Sequence, residues 1–186
     1  GLSRPYVLWV GTREPRKNLP TLLAAYEQMR GTDLDLVLVG PAGWGTDPTD
    51  APLPPERVHV LGRLDDTDLA CAYAGARVFT FPSIWEGFGL PVLEAMAHGT
   101  PVVTSADTCM AEIAGTDAGL LVPATDASAL AEALEAAGGS EHDRLAAAGD
   151  AHDDLAAAGI ERARRFTWEA SAAAHAAIYA SLAGAR

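Results

Sequence analysis

Glu86 and Glu94 stand with seven residues between them, on either side of a Glu-Gly-Phe-Gly-Leu-Pro turn. A carboxylate accepts hydrogen bonds from a pair of vicinal hydroxyls, so both residue types suit a sugar ring. Each such charge-assisted bond contributes roughly 1.5–3 kcal/mol. Gly87 and Gly89 let the backbone turn tightly and come close to a ligand. Pro91 suits the first turn of a following helix, where its missing N–H costs nothing. The N–H groups of Phe88, Gly89 and Leu90 would then lie at a positive helix end, a seat for a phosphate or a sugar hydroxyl. Acidic residues also serve a helix dipole without any ligand, and for Glu94 alone that reading stands equally well. The whole turn beside it tips the balance toward a ligand.

A second group precedes it. Lys17 is the only lysine among thirteen basic residues, and it follows an apolar run with Arg13 and Arg16 close by. A compact ammonium matches a phosphate that gains charge as a bond breaks. Arg13 and Arg16 compete for the place of second positive charge, and spacing does not choose between them. A third group, Leu64 with Asp65 and Asp66, follows Val58–Leu61. One aspartate could meet the adjacent N1–H and N2–H₂ of guanine, and either could equally cap the next helix.

These groups need a frame. Apolar runs at Tyr6–Val10, Leu34–Val39, Val58–Leu61, Val78–Phe81, Pro101–Thr104 and Leu120–Val122 read as strands. Helix-period segments at Leu19–Met29, Asp68–Ala74, Leu90–Ala97, Met110–Ala114 and Ser128–Ala137 alternate with them. That rhythm predicts an α/β domain: a doubly wound, Rossmann-like parallel sheet of about six strands covered on both faces. Ligands in such sheets sit at the carboxyl ends of the strands, where the strand order reverses. The loops after Val10, Leu61 and Phe81 are therefore the places for chemistry. Gly138-Gly139 marks a break. The expected division is a sheet domain over residues 1–138 and an Ala-rich helical tail over 139–186 packed on it. The tail reads as a helix around Leu145–Arg165 and another from Trp168 to Leu182, with Thr167 as its N-cap.

Composition sets limits. A chain of 186 residues with 49% hydrophobic and 20% charged residues is ordinary for a globular domain. The formal net charge of -12 disfavours nucleic acid and anionic membrane surfaces. It also repels a diphosphate, so such a ligand needs a local cluster of donors. No apolar run approaches the ~18 residues of a membrane span. The N-terminus has no signal-peptide character and enters a strand almost at once, as though preceded by further sequence. Cys71 and Cys109 lack metal-ligand spacing and read as two buried thiols in a reducing cytoplasm. His98 reads as a helix C-terminal residue placed favourably for the dipole. Trp85 could wall a sugar site or fill the core.

The stretch from Pro82 to Pro101 resembles the Glu-x7-Glu signature of the large retaining glycosyltransferases, specifically glycosyltransferase family 4. Tyr6-Val-Leu-Trp-Val-Gly-Thr-Arg-Glu-Pro-Arg-Lys-Asn-Leu19 is similar to the opening strand and phosphate loop of that family's C-terminal domain. Val58–Asp66 is similar to its base-binding strand and loop, and Gly119–Pro123 and Arg165–Glu169 to its closing segments. Glu-Pro-Arg-Lys-Asn resembles a subset that builds mannose- or rhamnose-type polysaccharides.

The resemblance implies the donor-binding half of a GT-B enzyme, a nucleotide-diphosphate sugar as donor, and transfer with retention. Lys17 would contact the pyrophosphate, Glu94 the ribose hydroxyls, and Glu86 with the amides of Phe88–Leu90 the donor sugar and its phosphate. Gly11 and Thr12 would line the phosphate loop. Thr12 departs from the pattern, because the family often has arginine there. The base leans toward guanine over uracil, hence a GDP-sugar such as GDP-mannose. No metal or other cofactor is required by that class. The implied partners are the N-terminal GT-B domain, absent from this sequence, and an acceptor glycan or lipid. The last helix, which meets that domain in relatives, could instead pair with a second copy. The expected location is the cytoplasm, peripheral at the membrane for the full-length enzyme. Two alternatives stay open: a nucleotide-sugar-binding module without catalysis, and a GT-B-like sugar-nucleotide epimerase.

Overall fold

A computed structural model describes residues 2–29, 32–44, 56–138 and 149–184. The described residues form one sheet of six strands: β1 (Tyr6–Val10), β2 (Asp35–Val39), β3 (Val58–Gly62), β4 (Val78–Phe81), β5 (Val102–Ser105) and β6 (Leu120–Val122). Every pairing is parallel, in the order β3-β2-β1-β4-β5-β6. Val, Leu and Phe dominate the inner strands β1, β2 and β4, where a sheet covered on both faces buries alternate side chains equally, whereas the edge strand β3 leaves Val60 and Leu61 exposed. Val7, Leu8, Trp9, Leu36, Val37, Leu38, Phe79 and Phe81 are all fully buried.

The helices are α1 (Leu19–Gln28), α2 (Asp66–Gly75), α3 (Leu90–Ala97), α4 (Cys109–Ala114), α5 (Ala127–Gly138), α6 (Gly149–Ala163) and α7 (Trp168–Ala183). α1 packs against α5, while α3 touches α2, α4 and α6. The expected doubly wound α/β fold is present, with element ends displaced by a residue or two. One such displacement is at α2, which begins at Asp66 because Asp65 caps it, accepting from the Asp68 N–H at 2.8 Å. Asp65 thus serves the cap that the sequence offered as one of its two roles. Residues 145–148 and Gly139 lie outside the described residues.

The expected burial of both cysteines is corrected. Cys71 is exposed and Cys109 only partly covered. α2 fully buries only Tyr73 and packs Leu69 and Ala72 against the core, and Cys71 lies on its exposed side.

Of the tail, α6 packs on the sheet domain through Gly159, whose backbone lies against Met96, and through the buried Ala163. α7 has its Thr167 cap, which accepts from the Ala170 N–H at 3.1 Å, and buries none of its residues. No described helix is long and apolar enough to cross a membrane.

Candidate functional site

β1 has β2 on one side and β4 on the other, so the order of strands reverses between β1 and β4. The loops leaving these two strands therefore flank the crevice where doubly wound sheets bind ligands. The first loop, Gly11–Asn18, carries the basic residues; the second, Pro82–Gly89, carries Glu86.

The first loop is tightly built. Its residues Pro15–Lys17 form a turn of 3-10 helix that no local pattern marks, ended by Asn18 at φ 56. The Asn18 amide donates to the carbonyls of Pro82 at 3.0 Å and Ala124 at 2.6 Å, tying the loops after β1, β4 and β6 together. Gly11 N–H reaches Val39 O at 2.9 Å, and Gly40 N–H reaches Gly62 O at 2.7 Å, so the loops after β1, β2 and β3 are stitched as well. Gly40 is obligatory: at φ 131, an added Cβ would stand 2.0 Å from Gly11 O.

At the crevice Lys17 Nζ lies 2.8 Å from Glu86 Oε1, with both side chains about nine-tenths buried (10% and 9% exposed). The same ammonium sits 4.4 Å from the centre of the Phe81 ring, a favourable cation–π position. Arg16 donates to Glu86 Oε2 and pairs with Glu14 at 2.6 Å. Glu14 in turn accepts from the Trp44 indole N–H at 3.1 Å. Burial pushes the Glu86 carboxyl up, but the hydrogen bonds from Lys17 and Arg16 outweigh it, and its pKa falls below the ordinary value. Partial burial opposes the Arg16 charge too, and the Glu86 and Glu14 carboxylates more than compensate, raising its pKa.

The two candidate arginines separate. Arg16 joins Lys17 and Glu86, whereas Arg13 Nη1 donates to Gly40 O at 3.0 Å. Thr12 and Gly11 lie half-buried along the same loop. Leu64 packs against the core beyond β3, and Asp66 is exposed on the first turn of α2.

The turn after Glu86 delivers the chain into α3. Gly89 is the N-cap at φ 107, with no side chain capping the helix and Pro91 in the first turn. That leaves an uncapped positive end beside Gly89 and Leu90. The two glycines of the turn differ. A Cβ on Gly89 would meet Met110 Cγ at 2.7 Å, whereas one on Gly87 would meet nothing within 4 Å. Gly87 thus leaves open space above the turn without requiring a left-handed backbone. Phe88 and Leu90 are exposed. With Leu93, Phe166 and Trp168 they line an apolar groove of about 490 Å³ on the outer side of the turn.

Glu94 lies one turn into α3, exposed, accepting from the buried Tyr73 hydroxyl at 2.8 Å. Burial first, then the Glu94 charge, drives the Tyr73 pKa strongly upward, so this hydroxyl remains a donor. His98 stacks on the Tyr73 ring at 5.6 Å and caps α3 at its C-terminal end. Tyr73 was not singled out in the sequence, Glu14 stood in the Glu-Pro-Arg-Lys-Asn motif without a role of its own, and Cys109 was read only as a buried thiol. The Cys109 thiol lies 3.2 Å from the carbonyls of both Glu86 and Phe88, bracing the turn from α4. Trp85 is 65% exposed beside Glu86, so it is not a core residue. Among the described residues no group of His, Cys, Asp and Glu could hold a metal ion.

Comparison with known proteins adds an independent line. Residues 4–138 match the family described as glycosyl transferases group 1. The chain is 38% identical over 175 residues to O-antigen chain mannosyltransferase B of Escherichia coli, covering 88% of this chain and 42% of that protein. It is 35% identical over 182 residues to a phosphatidyl-myo-inositol mannosyltransferase of Mycobacterium leprae, covering 95% of this chain and 46% of that protein. Among solved structures, sucrose-phosphate synthase from Thermosynechococcus elongatus superposes with a TM-score of 0.76 at 35% identity, over 99% of this chain and 47% of that one. The chain thus spans less than half the length of these relatives.

Proposed function

The chain belongs to the group 1 glycosyl transferases, a GT-B family, and from that footing we propose that it is the donor-binding half of a retaining glycosyltransferase that uses GDP-mannose or a similar GDP-sugar. The observation that carries this is the meeting of Lys17, Arg16 and Glu86 at the β1/β4 reversal, directly before the uncapped end of α3. The two cations and the Gly89 and Leu90 amides receive the diphosphate. Glu86 accepts from the sugar hydroxyls, and Glu94, aimed by Tyr73, accepts from the ribose.

In this reading the bond from the anomeric carbon to the diphosphate breaks with oxocarbenium character. Lys17 and Arg16 stabilise the charge that develops on the leaving oxygens. The acceptor hydroxyl attacks from the face that the diphosphate leaves, and the departing phosphate takes its proton. Positioning and electrostatics supply the rate enhancement, with no protein nucleophile. The mannosyl relatives support the sugar, and Asp66, exposed on the first turn of α2 just after the β3 loop, is the residue we assign to the base. The acceptor-binding half is a separate domain set against α7, whose Trp168, Ile178, Tyr179 and Leu182 are exposed. Its acceptor is a glycan or lipid, and the full-length protein works in the cytoplasm at the membrane surface.

Calorimetric titration of the chain with GDP, GDP-mannose, UDP and UDP-glucose tests this. The guanine nucleotides are expected to bind, with affinity reduced about tenfold or more by Lys17→Ala and by Glu94→Ala. Binding of the uridine compounds alone would overturn the base assignment. Affinity unchanged in both variants would remove the site from this crevice, and no binding of any of the four would refute the donor-half reading.

A further inference from the structure

The four side chains paired with one another at the crevice, Glu14, Arg16, Lys17 and Glu86, are two positive and two negative, so this linked group carries no net charge, while Arg13 on the same loop is turned to Gly40 O. A diphosphate approaching a chain of net charge -12 therefore meets, at Lys17 and Arg16, cations already balanced by carboxylates. Both cations are already engaged: Lys17 with one oxygen of Glu86, Arg16 with the other and with Glu14. The Glu86 carboxylate occupies the position of an anion held by the two residues that would otherwise hold phosphate.

Glu86 cannot simply release them. Its side chain is 9% exposed, and an ionised carboxylate left in such a place without donors is strongly disfavoured. Its depressed pKa means that it does not escape by taking up a proton near neutrality. Release requires replacement donors. Sugar hydroxyls are such donors; a bare diphosphate offers none and adds a like charge beside the carboxylate.

We propose that Glu86 acts as an internal stand-in for phosphate, so that the site yields Lys17 and Arg16 to a bare diphosphate at a penalty, and far more readily when an attached polyhydroxy sugar satisfies Glu86. This rests on the donor-site reading above and adds a specificity to it. The intact donor exchanges partners with the clamp: hydroxyls go to Glu86, phosphates to the cations. Once the sugar has gone, Glu86 returns to the cations and the nucleoside diphosphate is displaced. Product release and selection against free nucleotide then come from the same carboxylate.

The test compares the chain with its Glu86→Gln variant for binding of inorganic pyrophosphate, GDP and GDP-mannose. Glu86→Gln is expected to bind pyrophosphate about tenfold or more tightly than the unaltered chain. Its gain for GDP-mannose is expected to be smaller, because the hydroxyls lose their ionised acceptor. Lys17→Ala in the Glu86→Gln background should abolish the pyrophosphate gain. Should the glutamine variant not fold, Glu86→Asp, which keeps the charge and shortens its reach, should show the same order of gains at lower amplitude. Pyrophosphate bound no better by the variant, or an equal gain for pyrophosphate and GDP-mannose, would overturn the proposal. A pyrophosphate gain with no nucleotide bound by either protein would sink the nucleotide-sugar reading and leave the guarded anion seat standing. GDP-mannose bound by the unaltered chain without any pyrophosphate gain would do the reverse.

Discussion

At the scale of single residues, Glu86 carries a pH signature. Its folded pKa lies below the 4.5 of an ordinary glutamate because Lys17 and Arg16 outweigh its burial. A depressed pKa stabilises the fold above the unfolded value, and that contribution is lost as pH falls from about 4.5 through the lower folded value. The unaltered chain should therefore lose stability on acidification more steeply than Glu86→Gln, which has no such proton to gain. Urea midpoints for both proteins between about pH 6 and pH 3 check this, and parallel curves would show that the clamp does not hold the carboxylate ionised. Lys17, Glu86 and Glu94 could be read from the sequence because each sits in a short local pattern. Tyr73 could not, because its partner Glu94 lies 21 residues away and meets it only through α2–α3 packing. Glu14 was hidden for a related reason: its role depends on Trp44 reaching back from beyond β2.

Elements were legible where a stop residue or an apolar run marked their ends. Val78–Phe81 and Leu90–Ala97 have in the structure the bounds that Pro82 and Gly99 suggest. The 3-10 turn at Pro15–Lys17 was not legible, since three residues carry no periodicity. The Glu-Gly-Phe-Gly turn shows the same limit at finer grain: its glycines look equivalent as letters and are not equivalent in space. Gly89 combines φ 107 with a Cβ position 2.7 Å from Met110 Cγ, while Gly87 has open space. Gly89→Ala should cost roughly 2–4 kcal/mol, from backbone strain and overpacking together, and Gly87→Ala within about 0.5 kcal/mol of nothing. Adding Met110→Ala to Gly89→Ala should recover part of the loss beyond the sum of the single changes, because it removes the clash and leaves the φ strain. Chemical denaturation of the four variants measures this. Equal costs at the two glycines would mean that the turn relaxes freely and does not fix the entry to α3.

For the whole molecule, alternating strands and helices announced a parallel sheet, but strand order is set by which faces bury which helices, and no single run of residues encodes it. The order β3-β2-β1-β4-β5-β6 is what brings Lys17 and Glu86, from loops some seventy residues apart, to one crevice. The two tail helices then part company on burial. α6 covers α3 and α4, with Gly159 against Met96 and Ile160 Cδ1 within 3.2 Å of a Cβ built on Gly99, so its removal uncovers core. α7 buries nothing, and Trp168 is 84% exposed. A chain ended after Phe166 should accordingly unfold within about 2 °C of the full sequence, since an unburied helix adds almost no apolar burial. A chain ended after Gly138 should unfold about 10 °C lower or more, reflecting several kcal/mol of lost α6 packing. A large destabilisation on removing α7 alone would mean that its exposed apolar residues are covered in solution, by a second copy of the chain or by α7 folding back over the groove at Phe88 and Leu90. Sedimentation of the full sequence at rising concentration separates those two, because only the first depends on concentration.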